Sequence, residues 1–153
     1  MIDPRQPRFG QAITGASLLA GFVLDRPEVL PVLAVVLALA SLGGPRLNPY
    51  AYLFRWARSA FRWGPPAELE EAGPPRFANG LGFLFLSVAT VGSFVLRSDG
   101  LAWTLGLLVA ALALLAAVTG LCVGCEAYVL ARRMVTRGRV PGRATAPSRG
   151  TAP

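Results

Sequence analysis

Four stretches of this chain contain neither an acid nor a base: residues 9–24, 29–45, 77–96 and 100–125, which are 16, 17, 20 and 26 residues long. A hydrocarbon core about 30 Å thick is crossed by roughly 17–25 helical residues, so two windows match and two stand at the edges of that range. Arg8 and Arg46, beside the two short windows, can snorkel, and a bilayer can thin slightly. The stretch Leu101–Leu121 (LAWTLGLLVAALALLAAVTGL) carries only two threonines as polar side chains. No face of a helix built from it could meet water. That excludes a soluble four-helix bundle, in which every helix needs a polar side repeating with the helical period.

The remaining residues divide these windows into two similar halves. Pro7-Arg8-Phe9 opens the first and Pro75-Arg76-Phe77 the second. Each half then reads as a helical hairpin with a short charged turn, Asp25-Arg26-Pro27-Glu28 or Arg97-Ser98-Asp99-Gly100. Each closes on a basic amphipathic helix. The sequence therefore predicts an all-α fold: a four-helix transmembrane bundle of two parallel helical-hairpin repeats, each followed by a basic interfacial helix. The membrane helices are expected at about 9–24, 29–43, 77–96 and 101–121, and the interfacial helices at about 49–63 and 126–135. With 153 residues there is room for one domain, expected over 1–135. The tail 136–153 is rich in Arg, Gly, Pro, Ser and Thr and has nothing to bury, so disorder is expected there.

Local signals fix several boundaries. Gly43-Gly44-Pro45 should end the second helix, as a glycine cap followed by proline does. Asn48-Pro49 should start the next, with an N-cap residue before proline at the first helical position. In that helix Arg55, Arg58 and Arg62 fall at i, i+3 and i+7, a basic face suited to anionic lipid headgroups, while Tyr52, Trp56 and Trp63 gather elsewhere. The stretch from Gly64-Pro65-Pro66 to Gly73-Pro74-Pro75 is expected to be a semi-rigid connector, with Glu68, Glu70 and Glu71 solvated.

The net charge of +7 comes from fifteen arginines against eight acids, with no lysine and no histidine. The arginines stand beside apolar spans rather than in a nucleic-acid-binding patch, so no nucleic-acid partner is expected. Thirteen flank the side holding the termini and the central loop. Only Arg26 and Arg97 stand on the other. The positive-inside rule then predicts a multi-pass protein of the cell membrane with both ends in the cytoplasm. The apolar stretch 12–24 is followed by Asp25-Arg26-Pro27 instead of a small-residue cleavage site, so it reads as a retained helix and not as a signal peptide.

Without histidine or lysine most catalytic constellations are excluded, and no ionisable residue inside a span suggests a proton relay. The glycines and alanines of 10–21 and 80–92 read as close helix packing. The chemistry that remains is Cys122 and Cys125, a C-x-x-C expected at the cytoplasmic end of the fourth helix. Disulfides rarely persist as staples in a reducing compartment, so a close pair there reads as redox-active or sulfur-carrying, as a metal site, or as idle packing. A metal would need two further ligands from a second subunit or from carboxylates; no cofactor or metal is expected. Aligning Ala51-Tyr52 with Ala127-Tyr128 sets Pro49 opposite Cys125, which would place Cys125 at a helix start and make it the nucleophile. Two function classes follow. One is a membrane-bound thiol-redox or sulfur-transfer partner. The other is a non-enzymatic scaffold or small transporter subunit, which would act as a homodimer. Enzyme activity is left open, with the balance against it.

The segments Asp3-Pro4-Arg5-Gln6-Pro7-Arg8-Phe9, Asn48-Pro49-Tyr50, Pro75-Arg76-Phe77-Ala78 and Cys122-x-Gly124-Cys125-Glu126-x-x-Tyr128 together resemble a family of bacterial membrane proteins classed only as a domain of unknown function, the domain-of-unknown-function 4395 family. The similarity extends to about Arg133, and the composition resembles actinobacterial members. The resemblance implies membrane location and the C-x-G-C-E motif, and no established activity. It also implies company with thioredoxin-like and sulfurtransferase proteins.

Overall fold

A computed structural model describes residues 2–43, 47–62, 64 and 69–137. Six helices run through them: α1 (Arg5–Val23), α2 (Val29–Leu42), α3 (Pro49–Ala60), α4 (Gly73–Phe94), α5 (Asp99–Thr119) and α6 (Val123–Arg137). No strand occurs among the described residues; Ile2 and Glu70 form one isolated antiparallel bridge. The fold is all-α, as expected.

Four helices of spanning length do not emerge. Only α4 and α5, at 22 and 21 residues, are both long and apolar enough to cross a membrane. At 19 residues α1 has the length, but its first turns run through Arg5, Gln6 and Arg8 and dilute its apolarity. Helix α2 is apolar but stops after 14 residues, where the Gly43 N–H closes on the Leu39 carbonyl.

Helix starts lie earlier than expected because proline is harmless in a first turn, where the N–H would have no partner anyway. Pro7 thus falls inside α1, and Pro74 and Pro75 begin α4 instead of closing an extended connector. The connector's second half is also tied down. The Ile2 and Glu70 backbones pair through two 2.9 Å hydrogen bonds, and Glu71 takes both its oxygens to Arg132 at 3.1 and 3.3 Å. Residues 65–68 and 138–153, which carry Glu68 and most of the tail, lie outside the described residues, as does Trp63. Helix α3 ends at Ala60, so Arg62 is not on the helical face with Arg55 and Arg58. It follows the helix in a left-handed conformation.

Helix α1 lies along α5 and α2 lies along α4, while α1 and α2, although consecutive, touch little. Leu18, Leu30 and Leu86 are completely buried between these pairs. Small residues let the backbones approach: a Cβ at Gly15 would come within 2.6 Å of Leu114 Cγ. The outward faces are apolar on every one of these four helices. Leu19 and Phe22 of α1, Val32 and Val35 of α2, Leu84 and Val88 of α4, and Leu108 and Leu115 of α5 are all exposed.

Contacts in the two halves occur in matched pairs. Phe9 meets Phe54 with ring centroids 5.8 Å apart, and Phe77 meets Tyr128 at 5.6 Å. Gly10 faces the Tyr50 side chain across α1 and α3, as Ala78 faces Gly124 across α4 and α6. Both hairpin turns reverse through a non-glycine residue at positive φ, Asp25 at 50° and Arg97 at 51°. These pairs equate α3 with α6 in a definite register: Phe54 with Tyr128, Pro49 with Val123, and Asn48 with Cys122. The sequence alignment of Ala51 with Ala127 is two residues out, because the shared Ala-Tyr dipeptide is a weaker constraint than the position at which each helix starts.

Candidate functional site

Helix α5 ends at Gly120, whose φ of +77° is the left-handed cap that glycine adopts without strain. The Arg8 guanidinium packs where a Cβ on Gly120 would be. Three residues later the chain enters α6, and Cys122 is the residue that caps it. The Glu126 N–H bonds to the Cys122 carbonyl at 3.0 Å, and the Cys125 N–H reaches Cys122 Sγ at 3.3 Å. In the matching half Asn48 does this with oxygen, its Oδ1 accepting from Tyr50 and Ala51 N–H at 3.0 and 3.3 Å. Ala51 and Cys125 occupy the same third position of their helices.

A third donor comes from across the bundle. Gln11, two turns into α1, places its amide Nε2 3.5 Å from Cys122 Sγ. With the Cys125 thiol as the strongest contributor, these donors favour the charged form and hold Cys122 down at about 6, against an ordinary 9.0, despite half-burial, which works the other way. Cys125 is raised: its thiol hydrogen-bonds to the Cys122 sulfur, it is half-buried, and the charges of Cys122, Glu70 and Glu126 all oppose a second thiolate. The geometric ground for taking Cys125 as the nucleophile does not hold. Cys122, not Cys125, is the helix-start thiol, because α6 begins three residues before Glu126.

The two thiols are free, and both are partly exposed. Both face an open groove of about 410 Å³ whose walls include Arg8, Glu70 and Glu126. Cys122 also borders a second space of about 230 Å³ that runs down between the helices. Among the described residues no group of three or more cysteine, aspartate or glutamate side chains is disposed to hold a metal ion.

The structure thus joins Cys122 to Cys125, as the spacing suggested, and adds Gln11 and Arg8, which sequence reasoning left to packing and topology. The available signal for Gln11 was its being the lone amide in the window 9–24. Arg55 and Arg58 lie on α3, and Arg55 sits over the Tyr52 ring at 4.5 Å. Arg62 belongs to the turn beyond.

An all-helical chain with two helices of membrane-crossing length and a paired thiol at the start of its last described helix defines the class. The chain belongs to the family described as Domain of unknown function (DUF4395), whose model matches residues 2–133. No curated protein and no solved structure matches it.

Proposed function

We propose that this protein is a multi-pass cell-membrane protein whose Cys122–Cys125 pair exchanges disulfides, or passes sulfur, with a thioredoxin-like or sulfurtransferase protein on the cytoplasmic side. The observation that carries this reading is the capping geometry. A neutral thiol is a weak acceptor and a poor replacement for the asparagine that caps the matching helix. A thiolate in the same place gains charge-assisted bonds and the positive end of the α6 dipole. The position suits a reactive sulfur better than a structural one.

The membrane part of the reading extends the two spanning helices to four. The exposed apolar faces of α1 and α2 have no counterpart in water, and burial in lipid accounts for them. Four spans give each half an even number, so the halves form a parallel repeat about an axis along the membrane normal. The matched ring contacts and helix pairs support this. Thirteen arginines against two then place both termini, α3, α6 and the thiol groove on the cytoplasmic side. Arg55 and Arg58, with Arg62 in the turn after them, face anionic headgroups.

In the exchange, the Cys122 thiolate attacks a partner disulfide and one partner sulfur leaves as thiolate. Cys125, after losing its proton, attacks Cys122 in the mixed disulfide and releases the second partner sulfur. Cys125→Ser removes the resolving thiol and should trap a covalent complex on non-reducing electrophoresis. Cys122→Ser should trap little. Equal absence of trapping with both variants, together with ordinary alkylation of both thiols, would leave only the scaffold reading.

A further inference from the structure

The space behind Cys122 has a composition unlike that of the groove in front of it. Its walls include Leu37, Leu81, Phe85, Val109 and Leu112, and its polar lining is Gln11, Thr14, Asn79 and Cys122, with the Gln11 amide beside the Cys122 sulfur. Phe85 and Leu112 are 40% and 38% exposed, so the space reaches the outer surface of the helices. Leu112 lies seven residues before the end of α5, which is roughly 10 Å along the helix axis from the thiol end. Given the membrane reading, this opening faces hydrocarbon. A ligand must therefore arrive through lipid, present an apolar body, and offer acceptors to two amides and an electrophilic centre to a thiolate. Its volume of about 230 Å³ exceeds the roughly 150 Å³ of a cavity that admits one benzene ring, so a substituted ring fits.

We propose that this cavity binds the ring of a membrane quinone, and that the quinone is the electron acceptor for the Cys122–Cys125 dithiol. The proposal rests on the thiol reading above and names its second substrate. Cys122 borders both spaces, whereas Cys125 borders only the groove. That division suits a relay: a thiol protein in its dithiol form reduces the Cys122–Cys125 disulfide from the groove, the reverse of the exchange written above, and the quinone reoxidises the dithiol at Cys122 from within.

The step balances. The Cys122 thiolate adds to a ring carbon, forming an S–C bond. Cys125 then attacks Cys122 sulfur, the S–S bond forms, the S–C bond breaks, and the electron pair leaves on the ring. The Cys125 proton and one proton from solvent complete the hydroquinone. Dithiol has lost two electrons and quinone has gained them. In this proposal the Asn79 amide and the second Gln11 N–H, both in the lining, donate to the ring oxygens, and such hydrogen bonds strengthen as charge develops.

The test uses reduced full-length protein in detergent and decylubiquinone, whose fully substituted ring limits stable arylation of thiols. Quinol formation is followed by absorbance, and thiol loss by alkylation and mass. The expected result is saturable oxidation, one quinol per disulfide, abolished in Cys122→Ser and slowed at least tenfold in Ala113→Phe, which fills the cavity from α5. The alkylation midpoint of Cys122 in Ala113→Phe reports whether the thiol site has kept its shape. If it has not, Gly82→Leu fills the same space from α4, and wild-type saturation decides alongside it. Oxidation that is linear in quinone and equal in wild type and filled variants would overturn the proposal and leave the cavity to a lipid acyl chain. A trapped thiol-protein complex with Cys125→Ser, alongside that linear behaviour, would refute the quinone alone. Loss of trapping and of the low alkylation midpoint would instead remove the thiol reading beneath it.

Discussion

The pH dependence of Cys122 alkylation is the sharpest consequence of the capping geometry, and rate alone would obscure it. At pH 7 a thiol of pKa about 6 is about nine-tenths thiolate, against about one-hundredth for an ordinary value of 9.0. That gain of about ninetyfold is largely offset, because nucleophilicity falls with basicity. A Brønsted slope of about 0.45 over three units costs about twentyfold, leaving a net advantage of only about fourfold. At pH 5.5 the same arithmetic gives about thirty-five-fold, and above pH 9 the ordinary thiol is the faster one. The diagnostic is therefore the midpoint of the rate profile.

Iodoacetamide labelling, followed by peptide mass at each pH, should give a midpoint near 6 for Cys122 and a plateau above about 7.5. Cys125 should show no comparable rise across the neutral range, because its thiol is held in the neutral form. Cys125→Ala removes the strongest donor and should raise the Cys122 midpoint most. Gln11→Leu removes a longer contact, 3.5 Å, and should raise it by about half a unit to one unit, or about 1 kcal/mol of lost thiolate stabilisation. A midpoint near 9 in the wild type would refute the reasoning. Identical midpoints in wild type and Gln11→Leu would show that the amide packs beside the sulfur without holding its charge.

Cys122→Asn restores the cap found at Asn48 and should match or exceed wild-type thermal stability by about 1 kcal/mol while abolishing thiol exchange; clear destabilisation in a melting assay would mean that the sulfur has a packing role. Gly120→Ala places a side chain at φ +77° and against Arg8, and should cost more than the ~1 kcal/mol of the backbone term alone, measured in the same assay. Reporters fused after Arg139 should read cytoplasm, and reporters inserted at Asp25–Glu28 or Ser98–Asp99 should read outside; a cytoplasmic reading at either turn contradicts the four-span topology. Arg55→Glu with Arg58→Glu replaces two attractions for anionic lipid of about 1 kcal/mol each and should lower membrane abundance; unchanged abundance would show that α3 is held by its contacts with α1 and α2.

What the sequence disclosed followed the strength of the local signals. Charge-free windows located α1, α2, α4 and α5, and Asn48-Pro49 located the start of α3, where the Asn48 side chain does cap the helix. Boundaries failed where proline was read as a breaker. Pro7, Pro74 and Pro75 lie in first turns, and the sequence has no strong mark separating a linker proline from one at a helix start. The basic face of α3 was overextended for a related reason: periodicity carries Arg62 onto the helix with Arg55 and Arg58, but the helix ends at Ala60. At the candidate site, C-x-x-C spacing singled out the two cysteines. Which of them starts the helix depended on a two-residue register, and a further contact to Cys122 comes from an amide more than a hundred positions away; neither is encoded locally.

The matching halves make the site interpretable as a difference on a common frame. Arg76 donates to the Ser41 and Leu42 carbonyls at the end of α2, and Arg8 packs at Gly120 at the end of α5. Both arginines thus answer the negative end of a helix that runs beside their own. The aromatic contacts and hairpin turns also correspond. Against that background the α3 junction has an oxygen cap with an alanine at its third position, and the α6 junction has a sulfur cap with a second sulfur there. Helix starting alone does not require sulfur, since Asn48 achieves it with an amide oxygen that accepts two N–H bonds. The departure includes the two positions where a dithiol needs its atoms, and it occurs at the junction that borders both a charged groove and an apolar cavity. That coincidence of sulfur placement and access is why we assign the chemistry to the second half and the plain structural role to the first.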